Sequence, residues 1–176
     1  NNLREDAASI AAVNETKGQV VFAENQVAET YFYSVSAGVS AGIKEVWFAK
    51  KDRSYLMPCV LLGDSRKTLD LQKEADFSEF LQGEIKSYDT NSPWYRWRTT
   101  VSEKQLQQFI SEKIKSRYEK NPTQIQTKQK DGTFFSTGQT EVGEIKKVEI
   151  LKRGKSGVAV MAQITGSKNT LRIYTE

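Results

Sequence analysis

Histidine is missing altogether from this 176-residue sequence, which also holds one cysteine and only three prolines. Without histidine, Ser-His-Asp and Cys-His catalysis, His-ligated zinc and the two-His-carboxylate iron site cannot be built from these residues. The lone Cys59 closes neither an internal disulfide nor a four-cysteine metal site, and its apolar neighbours suggest a buried thiol. Long apolar runs are lacking as well. The longest near-apolar stretch, Tyr55 to Leu62, contains Pro58 and falls far short of the ~20 residues a membrane helix needs. Asn1 to Asp6 is polar and acidic where a signal peptide has its apolar segment, so no signal is expected here. The sequence does not begin with methionine and reads as a trimmed product, with any signal or anchor in a segment upstream.

What is present suits a folded domain. Apolar residues make up 38% and charged residues 27%. The length fits one domain of ordinary size, able to bury roughly 70% of the surface its unfolded chain exposes. The net charge of +4 is uneven: residues 1–101 sum to −2 and residues 102–176 to +6. That asymmetry reads first as Lys-rich helices and hairpins in solvent, with an anionic partner as the alternative.

Local patterns predict an α+β fold with mainly antiparallel sheets and a few helices. A short helix is expected over Glu5–Val13, ending before Lys17-Gly18. Gln19–Ala23 and Val27–Ser34, around Glu24-Asn25, read as a β-hairpin. Ile43 to Phe48 resumes an apolar character, Tyr55 to Leu62 reads as a buried strand broken at Pro58, and Phe77–Leu81 as a short helix. Tyr95–Val101 alternates aromatic or β-branched with polar residues and predicts a strand, with Trp97 facing inward. The longest helix is expected over residues 102–119. Ser102-Glu103-Lys104-Gln105 has the capping-box pattern, Leu106, Phe109, Ile110, Ile114 and Tyr118 follow at helical spacing, and Asn121-Pro122 ends it. After the turn at Lys130–Thr133, a β-meander is expected. Its strands carry Ile145 to Ile150, Val158 to Ile164 and Leu171 to Tyr174, with turns at Arg153–Gly157 and Gly166–Asn169.

Few constellations point to chemistry. Gly154-Lys155-Ser156 looks like the end of a phosphate loop, but Glu149 stands where the first glycine is needed and no helix follows; it reads as a basic hairpin turn. Tyr33-Ser34-Val35-Ser36-Ala37-Gly38-Val39-Ser40 brings hydroxyls and glycine together at a strand end. Either it forms a hydrogen-bonding rim for a polar ligand such as a sugar, or its hydroxyls bond local backbone. Trp47, Trp94, Tyr95 and Trp97 offer a sugar-stacking platform or, as such aromatics more often do, a core. Glu45, Asp89 and Glu103 are available carboxylates, though Glu103 is explained by the positive end of its helix. No acid–base pair stands out. Nucleic-acid binding rests only on a pI of about 9.0 and the aromatics around Arg96 and Arg98.

The segments Ala12–Val21, Tyr31–Ser40 and Glu45-Val46-Trp47 together resemble the stage II sporulation protein D / LytB (SpoIID-like, amidase enhancer) family. The family pattern is a helix ending in an A-V-x-x-T-x-G turn, a hairpin, and a Y-F-S-x-S-x-G-x-T-like loop with Trp seven residues beyond its last hydroxyl. Ser40 and Trp47 keep that interval. Tyr55-Leu56 with Val60, Ser92–Trp97 and Ile150–Gly157 also resemble family segments, in the family order. Ala37 and Ser40 depart from the usual Gly or Asn and Thr, and the His and Cys that ligate metal in some relatives have no counterpart.

The resemblance implies part of an exported bacterial peptidoglycan lytic transglycosylase or amidase enhancer, located in the cell wall or anchored outside the cytoplasm by a segment not present here. Such enzymes use one Glu as general acid/base in a G-E-M-P-A-like segment. No G-E-x-P occurs in these residues; the segment is expected upstream of Asn1, leaving no catalytic residue here and this stretch inactive alone. Tyr33, Ser34, Ser36, Gly38 and Ser40 carry over as the wall of the glycan groove. The chain then reads as one domain in three stretches: a groove part over 1–62, a helical, insertion-like region over 63–141 and a meander over 142–176. The implied partners are peptidoglycan glycan strands, with a cell-wall amidase or sporulation engulfment proteins as protein partners. No nucleic acid, cofactor or metal is implied. The alternative is a non-catalytic module that binds cell-wall glycan or protein.

Overall fold

A computed structural model describes residues 6–47, 51–61, 69–83 and 86–175. The chain divides into two compact units, Asn1–Ser34 and Val35–Glu176.

In the first unit, the Asp6 carboxylate accepts from the Ser9 N–H (2.9 Å) and hydroxyl (3.0 Å). This cap satisfies donors that the first helical turn leaves open and starts α1, Ala7–Glu15. Gly18, at φ 81°, follows it. Strands β1 (Phe22–Ala23) and β2 (Gln26–Val27) pair antiparallel around Glu24 and Asn25, whose φ values of 51° and 59° match the two-residue turn that suits strand twist. The expected hairpin is present, but its strands are two residues long; the pairing does not run on to Ser34. No residue of α1 is buried, so this unit holds its shape through turn and cap chemistry.

The second unit opens with β3 (Val39–Ser40), α2 (Ile43–Val46), β4 (Cys59–Val60) and α3 (Glu74–Gln82). Strand β4 pairs antiparallel with β3, Val39 opposite Val60 and Ser40 opposite Cys59. The expected buried strand over Tyr55–Leu62 is reduced to these two exposed residues. Pro58 lacks a donor for pairing, residues 54–57 turn, and Leu62, like Phe48, lies outside the described residues. Cys59 is accordingly exposed rather than buried.

Helix α4 (Glu103–Lys120) starts where its sequence predicts. The Gln105 N–H donates to the Ser102 hydroxyl (3.2 Å), and the Ser102 N–H donates to the Gln105 side chain (2.9 Å). After it run β5 (Ile125–Lys128), β6 (Phe134–Phe135), β7 (Ile145–Arg153), β8 (Ala159–Gly166) and β9 (Thr170–Tyr174). They form one antiparallel sheet in the order β6-β5-β9-β8-β7, so the predicted meander supplies three adjacent strands. The fold is mixed α+β, with four α-helices and antiparallel sheets among the described residues.

Ile110 and Ile114 of α4 pack with Ile125, Val142, Ile164 and Leu171, and the partly buried Leu106, Tyr118, Ile145 and Ile173 extend this core. One amide ties the helix to the sheet. Gln107 donates to the Gly143 carbonyl (2.8 Å) and accepts from the Ile145 N–H (2.9 Å).

The expected strand over Tyr95–Val101 does not form. Arg96 sits at φ 51°, outside extended geometry, and Trp97 is 64% exposed instead of facing inward. The alternation that predicts the strand is overridden by contacts of Arg96 with segments far away in the chain.

Leu171 is fully buried, whereas Val148 on β7 is half exposed. Leu171→Ala should therefore lower stability by about 2–5 kcal/mol and Val148→Ala by about 1 kcal/mol or less, read as midpoint shifts in urea denaturation at unchanged slope.

Candidate functional site

Among the proposed groove residues, Tyr33 and Ser34 belong to the first unit, and both are exposed. Ser36, Gly38 and Ser40 belong to the second, where each has a defined partner. The Ser36 N–H (2.8 Å) and hydroxyl (2.7 Å) both donate to one carboxylate oxygen of Asp89, and the Ser36 hydroxyl accepts from the Gly38 N–H (3.1 Å). Gly38 is buried at φ 103°, a conformation that side-chain-bearing residues avoid, and its carbonyl accepts from the Leu61 N–H (2.8 Å). Ser40 accepts from the Cys59 N–H (3.0 Å) across the β3–β4 pair.

The hydroxyls of Ser36 and Ser40 thus help to hold the loop. Both local and long-range partners are involved: Gly38 lies two residues from Ser36, Asp89 fifty-three residues away. Two donors aimed at the Asp89 carboxylate, the Ser36 hydroxyl first and its N–H second, hold the carboxyl below its ordinary value. Asp89 is itself set in a turn, its N–H donating to the Ser87 hydroxyl (3.1 Å).

Arg96 clips the next residue of the loop. Its guanidinium donates to the Ala37 carbonyl (3.3 and 3.4 Å) and to the Gly83 carbonyl (2.8 Å), and it lies 4.4 Å from the ring centre of the buried Phe80. These bonds explain the positive φ of Arg96. The segment that holds the loop also presents aromatic surface: Tyr88 is 82%, Trp94 69% and Trp97 64% exposed. Hydroxyl loop and outward aromatics are therefore joined by the short stretch from Tyr88 to Trp97.

The other carboxylates have structural employment. Glu45 accepts from the Gly42 N–H (3.1 Å), the Ser156 N–H (3.3 Å) and the Ser156 hydroxyl. Gly154-Lys155-Ser156 lies in the turn between β7 and β8, as its sequence predicts, with the Gly154 N–H donating to the Val158 carbonyl (2.8 Å). Glu103 occupies the first turn of α4. Among the described residues, no three His, Cys, Asp or Glu side chains group to hold a metal ion. No helix among them is long and apolar enough to cross a membrane. Asp89 and Arg96 are the residues whose loop-holding roles sequence reasoning missed. Asp89 stood out only as an available carboxylate, and nothing local joins it to Ser36.

A family model described as "Domain of unknown function (DUF8618)" matches residues 41–176, and the chain belongs to this family. No curated protein and no solved structure matches.

Because Asp89 titrates below its ordinary value of 3.8, its hold on Ser36 is fully present above that value and lost as pH falls through the lowered one. The Ser36 amide resonance should therefore stay fixed from neutral pH down through 3.8 and move only below it. Asp89→Ala should speed hydrogen exchange at the Ser36 amide while leaving the Ile125 and Leu171 amides protected.

Proposed function

We propose that this chain is the groove-wall and scaffold part of a bacterial cell-wall protein of the stage II sporulation protein D / LytB type, a peptidoglycan lytic transglycosylase or amidase enhancer. It acts outside the cytoplasm on peptidoglycan glycan strands, with a cell-wall amidase or engulfment proteins as its protein partners. It contributes no catalytic Glu, since none of the described carboxylates named above is left as a free acid in a cleft and no G-E-x-P segment occurs in the sequence.

One observation carries the reading: the Ser36–Gly38 loop is fastened by Asp89 and Arg96 to a stretch that exposes Tyr88, Trp94 and Trp97. Sugars are bound by flat aromatic faces that cover their apolar C–H surfaces and by backbone and hydroxyl groups that bond their rims. This segment offers the aromatic faces, and the Ser36 and Ser40 hydroxyls, already bonded to Asp89 and to the Cys59 N–H, fix the wall beside them. The excess of +6 over residues 102–176 favours a second reading, a non-catalytic module drawn to anionic wall polymer.

Sedimentation with purified sacculi separates the two readings. Groove binding should persist between 50 and 500 mM salt, and the Trp94→Ala/Trp97→Ala pair should reduce it about tenfold or more, given ~0.5–1.5 kcal/mol for each aromatic contact. Binding that collapses with salt and ignores the tryptophans belongs to the second reading. The chain alone should release no anhydromuropeptides; release would overturn its non-catalytic role.

A further inference from the structure

The sheet face turned away from α4 is not simply solvated. Strand alternation puts Met161 and Tyr174 there as direct partners on β8 and β9, and β7 sets Lys152 opposite Met161. Helix α2 and the segment around Leu56–Pro58 line the same space, an open pocket of about 520 Å³ within the second unit. That volume falls in the range of small-molecule sites. Its walls are mainly apolar, from Ile43, Leu56, Met57, Pro58, Met161 and Tyr174.

Two glycines let these walls approach. A Cβ at Gly42 would lie 2.8 Å from the Pro58 ring, and one at Gly154 would overlap the Glu45 side chain. The β7 register shifts between Ile150 and Lys152, a bulge of the kind that re-aims side chains beside binding sites, and Lys152 is the residue it delivers to the rim.

The rim is unbalanced in charge. Lys44, Lys152, Arg153 and Lys155 face Glu45 and Asp52. Glu45 accepts from the neutral donors of Ser156 and Gly42, and Asp52 lies 3.7 Å from Lys44. Arg153 is held by Glu74 through two bonds (2.7 and 3.0 Å) and stacks on Phe77. Lys152 and Lys155 remain, exposed and with no anionic partner among the described residues. Apolar walls beneath two ammonium groups, set against the single carboxylate of Glu45, leave the rim net positive and fit one ligand chemistry.

We infer that this cavity binds an anionic amphiphile, its apolar chain against Met161, Tyr174 and Leu56 and its oxyanion head between Lys152 and Lys155.

The test is an NMR titration of the whole chain with decanoate, decyl phosphate, decanol and acetate, each kept below its micelle-forming concentration. Decanoate, decyl phosphate or both should give saturable shifts at Ile43, Leu56–Met57, Met161 and Tyr174, and the tighter of the two identifies the head group. Decanol and the Lys152→Ala/Lys155→Ala variant with the anion should each bind about tenfold more weakly, within the range for two exposed ion pairs, and acetate should not bind. Met161→Trp should block binding by filling the cavity. The lysine variant keeps the test decisive if that substitution unfolds the chain. Decanol binding as tightly as the anions, shifts located elsewhere, no saturable shift with either anion, or an unchanged lysine variant would each overturn the inference.

Discussion

The alternation of β9 is the constraint on which the second unit depends. Leu171 and Ile173 turn toward α4 and close the core, so Arg172 and Tyr174 must turn the other way. A slip of one residue would exchange the two sets and lose both faces together. The strand is held against that slip from both sides, by Ile125, Gln126 and Thr127 of β5 and by residues 161–165 of β8. Burial of Leu171 and Ile125 on one face thus determines which side chains the opposite face can offer. Arg172, stacked on Phe134 and bonded to Gln163, and Tyr174, bonded to Gln126, keep that face ordered.

Around the 36–40 loop the governing force is different. Few apolar side chains are buried there, and the backbone is held by polar contacts to Asp89, Arg96 and the β3–β4 pair. Such contacts fix geometry more than they add stability, because the half-buried Asp89 and Arg96 exchange one set of hydrogen bonds for another with water. The loop is therefore shaped by contacts within the chain, and the exposed rings of Tyr88, Trp94 and Trp97 lie on or beside the segment that fastens it.

What was legible in the sequence was local. The Ser102–Gln105 box, the Asn121-Pro122 stop, the Glu24-Asn25 turn and the strand carrying Val158 to Ile164 each signal structure through neighbours within a few residues, and each is present in the fold. Tyr95–Val101 shows the limit of that method. Its alternation is genuine, but Arg96 is drawn to Gly83, Ala37 and Phe80, and the backbone follows the guanidinium instead of the pattern. The exposure of Cys59 has a related cause, since a short edge pair beside a proline offers nothing to cover it. The hydroxyl loop itself was visible, but its fastening was not: Ser36 meets Asp89 and Glu45 meets Ser156 across separations of 53 and 111 residues. Composition and periodicity carry no information about such pairs.

The exposure of Cys59 has a practical side. It is the sequence's sole thiol, it stands opposite Ser40, and its N–H is already bonded to that residue's hydroxyl. A fluorophore or spin label attached there would sit at one defined position without prior removal of other cysteines. It would report on the end of the serine loop through a backbone contact, leaving the indole rings of Trp94 and Trp97 chemically untouched. The protein therefore carries its own attachment point for following that loop in solution.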